Sequence, residues 1–157
     1  MNNSEFLEVI KKSFITCLMT HERSTAKLKV LHGAIARDIY NRLNTIKNIY
    51  DIISKGFNTG KEYKIQGRYI DKNVDITVID NGIQKAIAGI AVKFVMSNYS
   101  QNSNNYFENM LGETANIRSM NIPYFNIFII PEILPYYKRN GEIKKEKILQ
   151  NIISKNI

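Results

Sequence analysis

Residues 74–79, Val74-Asp75-Ile76-Thr77-Val78-Ile79, constrain the fold more than any other segment. Five of these six side chains are β-branched, which favours a pleated strand over a helix. Asp80-Asn81-Gly82 follows with turn chemistry, Asn-Gly being able to take positive φ. Ala86 to Met96 then reads as the returning strand, and Glu62 to Ile70 as a loosely alternating strand upstream. The three are expected to form an antiparallel meander.

Helical periods surround this centre. Ser4 can cap a helix through about Thr20, with Phe6, Leu7, Ile10, Phe14 and Leu18 on one face. Ser24 or Thr25 can cap a second, striped by Leu28, Leu31, Ile35 and Ile39 and able to run on through Ile46, Ile49 and Ile53 to Gly56 and Gly60. A polar run from Ser97 to Ser103 leads into a helix over 104–119, carrying Phe107, Met110, Leu111 and Ala115. Tyr124 to Ile130 is a near-continuous apolar strand between Pro123 and Pro131, and a helical crossover makes it parallel to the third strand. A last helix is expected over 142–155, with Ile148, Leu149, Ile152 and Ile153. The order αα-βββ-α-β-α implies an α/β fold, a mixed sheet flanked by helices, in one domain over 1–157. It divides into a helical part (1–60), an αβ core (61–131) and a C-terminal helix (132–157).

Composition narrows the class. With 44% hydrophobic residues, seven Phe and nine Tyr, the chain can fill a core, so disorder is excluded. The single Cys17 cannot close an internal disulfide, and two histidines with one cysteine are too few for a structural zinc site. No run approaches the ~18 apolar residues of a membrane helix, and the N-terminus lacks the basic-then-apolar order of a secretory signal. A cytoplasmic protein without a membrane partner is expected. The net charge of +8 is split between residues 1–60 (+4) and 138–157 (+4), leaving 61–137 neutral. Basic ends around a neutral sheet favour a polyanion, and nucleic acid is the commonest one.

Two charges sit inside apolar strands: Asp75 on the second and Lys93 on the third, where period two puts Ala91 and Lys93 on one face. Taken alone they read as a strand ion pair or as edge charges that discourage aggregation. Together with the element order, Asp75, Ala91-Val92-Lys93 and the following helix and strand resemble the PD-(D/E)XK nuclease superfamily, in particular small restriction-endonuclease-like proteins. Val92-Lys93-Phe94-Val95 with Asn98-Tyr99, the run Asn105 to Arg118, and Lys29-Val30-Leu31-His32-Gly33 carry the likeness across roughly 24–137. The resemblance implies a sequence-specific, Mg²⁺-dependent DNA endonuclease of restriction type. Asp75 and the backbone carbonyl of Val92 would be metal ligands, Lys93 would polarise the attacking water, and a homodimer would act on double-stranded DNA.

One position departs from the pattern: Ala91 stands where the family places Glu or Asp. A methyl group supplies no ligand, so cutting should be lost or nearly so. An engineered inactivation is one explanation. A second is that the acid has migrated to the following helix, as Glu108 or Glu113, although the plain reading of Glu113 is a surface or capping residue. A third is a natural DNA-binding module that does not cut; the nuclease domain of a larger defence protein is a further alternative. For DNA contact the candidates are the polar segment Ser97, Asn98, Tyr99, Gln101 and Asn102, with Lys27 and Lys29 for phosphate and His32 as a core or groove histidine. Glu62, Glu22-Arg23 and His21 read as surface residues.

Overall fold

The computed structural model describes residues 1–20, 26–45, 47, 49–95, 99–137 and 142–149. Its elements are α1 (Asn3–Thr20), α2 (Ala26–Leu43), β1 (Tyr50–Ser54), β2 (Tyr63–Ile65), β3 (Lys72–Val74), β4 (Ile76–Asp80), β5 (Lys85–Phe94), α3 (Tyr99–Arg118), β6 (Tyr124–Ile129), β7 (Ile133–Tyr137) and β8 (Ile143–Ile148). Among the described residues no helix is long and apolar enough to cross a membrane.

The α/β class holds. A four-stranded sheet has the order β1-β4-β5-β6, antiparallel at its first two pairings and parallel at β5-β6. The parallel sense is visible in two hydrogen bonds: Gly89 N–H donates to the Pro123 carbonyl and Val95 N–H to that of Ile129, both at 2.9 Å, advancing six residues on each strand.

Several element expectations are corrected. The first sheet strand is β1, not 62–70, because α2 stops at Leu43 instead of running to Ile53. Asn44 ends the helix: its side-chain amide donates to the carbonyls of Tyr40 (3.3 Å) and Tyr50 (3.0 Å), and its oxygen accepts from Tyr50 N–H (3.1 Å). That clamp turns the chain directly into β1, whose Ile52 pairs with Val78 in the core. β2 and β3 form a separate hairpin over part of the expected first strand. The first helix is capped by Asn2 rather than Ser4, in a reciprocal box where Asn2 Oδ1 accepts from Glu5 N–H and Glu5 Oε2 from Asn2 N–H. At the β4-β5 turn Gln84, not Asn-Gly, takes the left-handed region (φ 54°). The Asp80 carboxylate accepts from Gly82 and Ile83 N–H and sets a four-residue turn that closes through a left-handed last residue.

The expected last helix is β8 at residues 143–148, paired with β7. Lys-rich sequence favours a helix in isolation, but alternation sets Lys145 and Lys147 at 5.4 and 5.2 Å from the Tyr136 ring, a contact that a strand provides. Residues 150–157 lie outside the described residues.

The chain divides into two compact units. The first, Met1–Ala91 with Thr114–Phe125, contains α1, α2 and the β2-β3 hairpin, with a cluster of Ile65, Val74, Ala91, Ile117 and Tyr124. α2 approaches the chain after β1 so closely that a Cβ at Gly33 would lie 2.5 Å from the Gly56 carbonyl oxygen. The second, Val92–Glu113 with Asn126–Ile157, has a core of Val95, Tyr99, Leu134 and Tyr136, extended by Tyr106 and Phe128. Tyr99, Tyr106 and Phe128 lie mutually within 6.0–6.4 Å, ring centre to ring centre.

Candidate functional site

Asp75 lies at a bend between β3 and β4, one residue before the last paired position, Ile76 opposite Ile90. Its neighbour Val74 turns into the apolar cluster that also holds Ala91. The Asp75 carboxylate is partly buried, with Oδ1 3.9 Å from His32 Nδ1. That separation is too long for a hydrogen bond and suits an ion pair when the ring is protonated. His32 is on α2 with Leu31, Ile35 and Ala36, all buried because helical spacing turns them to one face. Fully buried, it offers no surface for DNA, and its place is beside Asp75.

Position 91 is apolar in its surroundings as well as its identity. Ala91 is 2% exposed among Ile65, Val74, Ile117 and Tyr124. Two residues earlier, a Cβ at Gly89 would meet Tyr124 at 2.8 Å and Ile65 at 3.1 Å. This stretch of β5 is therefore kept narrow by what packs on it, and a methyl is the size that fits. Val92 is buried in the strand.

Lys93, near the end of β5, is half-buried, and its Nζ lies 3.9 Å from Oε1 of Glu113 on α3. Glu113 has a side chain only 12% exposed. It is thus neither a surface nor a capping residue, contrary to its plain sequence reading. Gly112 does not create this approach, since its own Cβ position faces open space. Glu108 is exposed, and Glu62 is tied to Lys55 at 2.7 Å.

The polar segment is not a loop where it is described: Tyr99 to Ser103 form the first turns of α3. Tyr99 is buried in the second unit's core, so its ring serves packing. Asn102 is exposed on α3, and Lys29 is exposed on α2. Ser97, Asn98 and the Glu22-Arg23 pair lie outside the described residues, as do the side chains of Lys27 and Gln101.

Among the described residues no three His, Cys, Asp or Glu side chains cluster as a metal cage would require. Magnesium asks for less: one or two carboxylates, with waters and substrate phosphate completing the shell. Within the second unit Glu113, partly withdrawn from water, is a carboxylate of the kind that this ion takes, and in the first Ala91 contributes no donor. No family model, curated protein or solved structure matches the chain.

Proposed function

We propose that the chain is a magnesium-dependent DNA endonuclease whose second acid is Glu113 rather than a residue at position 91. The observation that carries this reading is the Lys93–Glu113 pair, a largely buried carboxylate on α3 within 3.9 Å of the motif lysine. A carboxylate largely withdrawn from water beside a lysine is the pairing that a metal-binding acid and a water-orienting cation would make. In this reading Glu113, beside Lys93, is a carboxylate offered to magnesium. When bound, the ion would neutralise phosphate charge and lower the pKa of its water. Lys93 orients the attacking water and stabilises negative charge as it develops on the phosphate. His32 stands 3.9 Å from the Asp75 carboxylate, close enough to pair with it when protonated. Double-stranded DNA is the substrate, and a homodimer would supply one centre per strand.

The test uses plasmid DNA with and without Mg²⁺, and the unaltered chain beside Glu113→Gln, Lys93→Ala, Asp75→Asn and Ala91→Glu. The expected result is cutting by the unaltered chain only with Mg²⁺, reduced at least about a hundredfold in the first three variants and not increased by Ala91→Glu. Cutting by Ala91→Glu alone would return the acid to position 91. Salt-sensitive DNA binding without cutting by any form would leave a binding module in place of the enzyme.

A further inference from the structure

The loop joining β2 to β3 shows side chains that the fold does not use. Tyr69 is 78% exposed and Ile70 64% exposed, adjacent at the tip. Single exposed apolar residues are ordinary. Two together, on a loop held rigid by a dedicated clamp, are not.

The clamp is Asn116 of α3, which is buried. Its Oδ1 accepts from the backbone N–H of Tyr69 (2.9 Å) and Ile70 (3.3 Å), and its Nδ2 donates to the Ile70 carbonyl (2.7 Å). Its own carbonyl accepts from Arg68 N–H at 3.1 Å. Gly67 makes room for it, since a Cβ there would lie 2.1 Å from Asn116 Nδ2. One residue therefore fixes the backbone of three successive loop residues, Tyr69 and Ile70 through its side chain and Arg68 through its carbonyl. The ordering entropy of these residues is met on folding, so a partner that binds them does not supply it again.

The chemistry around the tip selects the partner. Arg68 is exposed, with its guanidinium 5.8 Å from the centre of the Tyr69 ring, and Lys64 and Lys61 are exposed on the same hairpin. Of the acids of this segment Glu62 is engaged by Lys55 and Asp71 is exposed at the end of the loop, so three cations (Lys61, Lys64, Arg68) face two acids and the segment stays net basic. A flat aromatic and an aliphatic wedge beside cations suit a partner with phosphates outside and stacked rings inside. Position agrees. Tyr69 precedes Asp75 by six residues, so the two are at most about 20 Å apart along an extended chain.

We infer that residues 67–71 form a DNA-contacting element, with Arg68 on a phosphate and Tyr69 and Ile70 against the bases. This rests on the proposed function in taking DNA as the partner and Asp75 as part of the site it meets.

The experiment measures binding of a fluorescein-labelled duplex of about 25 base pairs, an assumed site size on the scale of specific interfaces, in Mg²⁺-free buffer. It compares the unaltered chain with Tyr69→Ser, Ile70→Ser and Arg68→Ala, and a parallel duplex carries 2-aminopurine to report unstacking. All three side chains are exposed, so thermal unfolding of the variants should match the unaltered chain. Tyr69→Ser should weaken binding about tenfold and abolish the 2-aminopurine response, and Arg68→Ala should lower the salt slope by about one. Variants that bind as the unaltered chain does, with the same 2-aminopurine response, would overturn this inference and leave the nuclease reading standing. An unaltered chain that binds no duplex at low salt would overturn both.

Discussion

Ala91→Glu discriminates between two accounts of this protein. If alanine at 91 replaces a catalytic acid, restoring the acid should restore a metal site at little cost. The structure implies the opposite. The methyl is 2% exposed within Ile65, Val74, Ile117 and Tyr124, and none of these offers a hydrogen bond donor except the Tyr124 hydroxyl. A carboxyl introduced there would be protonated at neutral pH, and raising its pKa by about three units costs about 4 kcal/mol at pH 7. Extra atoms forced into a packed cluster add about 1–3 kcal/mol. For a chain of this size each kcal/mol moves the unfolding midpoint by about 2–4 °C, so the expected drop is on the order of 10–20 °C. The pH dependence has a definite sign. The introduced acid has a folded pKa above its unfolded value, so the ionisation part of its penalty vanishes below about pH 4 and grows as pH rises toward 7, while the steric part stays. Thermal unfolding at pH 4 and pH 7.5, with and without Mg²⁺, measures this. An Ala91→Glu midpoint equal to the parent's at pH 7.5, or raised by Mg²⁺, would refute the argument.

Asn116→Ala should cost about 1–3 kcal/mol, since it removes three side-chain hydrogen bonds that water can partly replace. Amide exchange at Tyr69 and Ile70 should accelerate with it, and unchanged exchange would show that the clamp does not order the loop. At the other end of the first unit, the Met1 ammonium hydrogen-bonds Asp38, and Arg42 joins at 2.9 Å. The ammonium chiefly, with Arg42 adding, holds the Asp38 carboxyl below its ordinary 3.8. Because the folded pKa is the lower one, this contribution to stability is present above pH 3.8 and disappears as pH falls through the folded value. The stability gap between the unaltered chain and Asp38→Asn should therefore close on acidification, and a gap independent of pH would sink the assignment.

Much of the sheet was legible in the sequence because its signals are local. Five β-branched residues in six, a turn cluster and a proline-bounded apolar strand need no knowledge of the rest of the chain, and β4, β5 and the parallel β6 emerge from them. The misread elements depend on distant partners. Residues 49–53 satisfy a helical stripe as well as a strand, and Asn44 decides between them only by reaching Tyr50. Residues 143–148 are helix-forming by composition and become a strand because β7 offers an edge and Tyr136 a ring for two lysines. In both cases tertiary pairing outweighs a propensity worth only tenths of a kcal/mol per residue.

The same division runs through the candidate site. Asp75 and Lys93 stand out because a charge inside an apolar strand is conspicuous in one dimension. Glu113 does not, since a glutamate on a helix is unremarkable until that helix is laid against β5. Twenty residues of chain separate it from Lys93, and no helical or strand period links the two. A sheet fixes where its own side chains point, yet a carboxylate can come from any element packed beside it. Position 91 is filled by an alanine inside an apolar cluster and supplies no carboxylate, whereas Lys93, two residues further along, meets one only through Glu113 on the helix, 3.9 Å away.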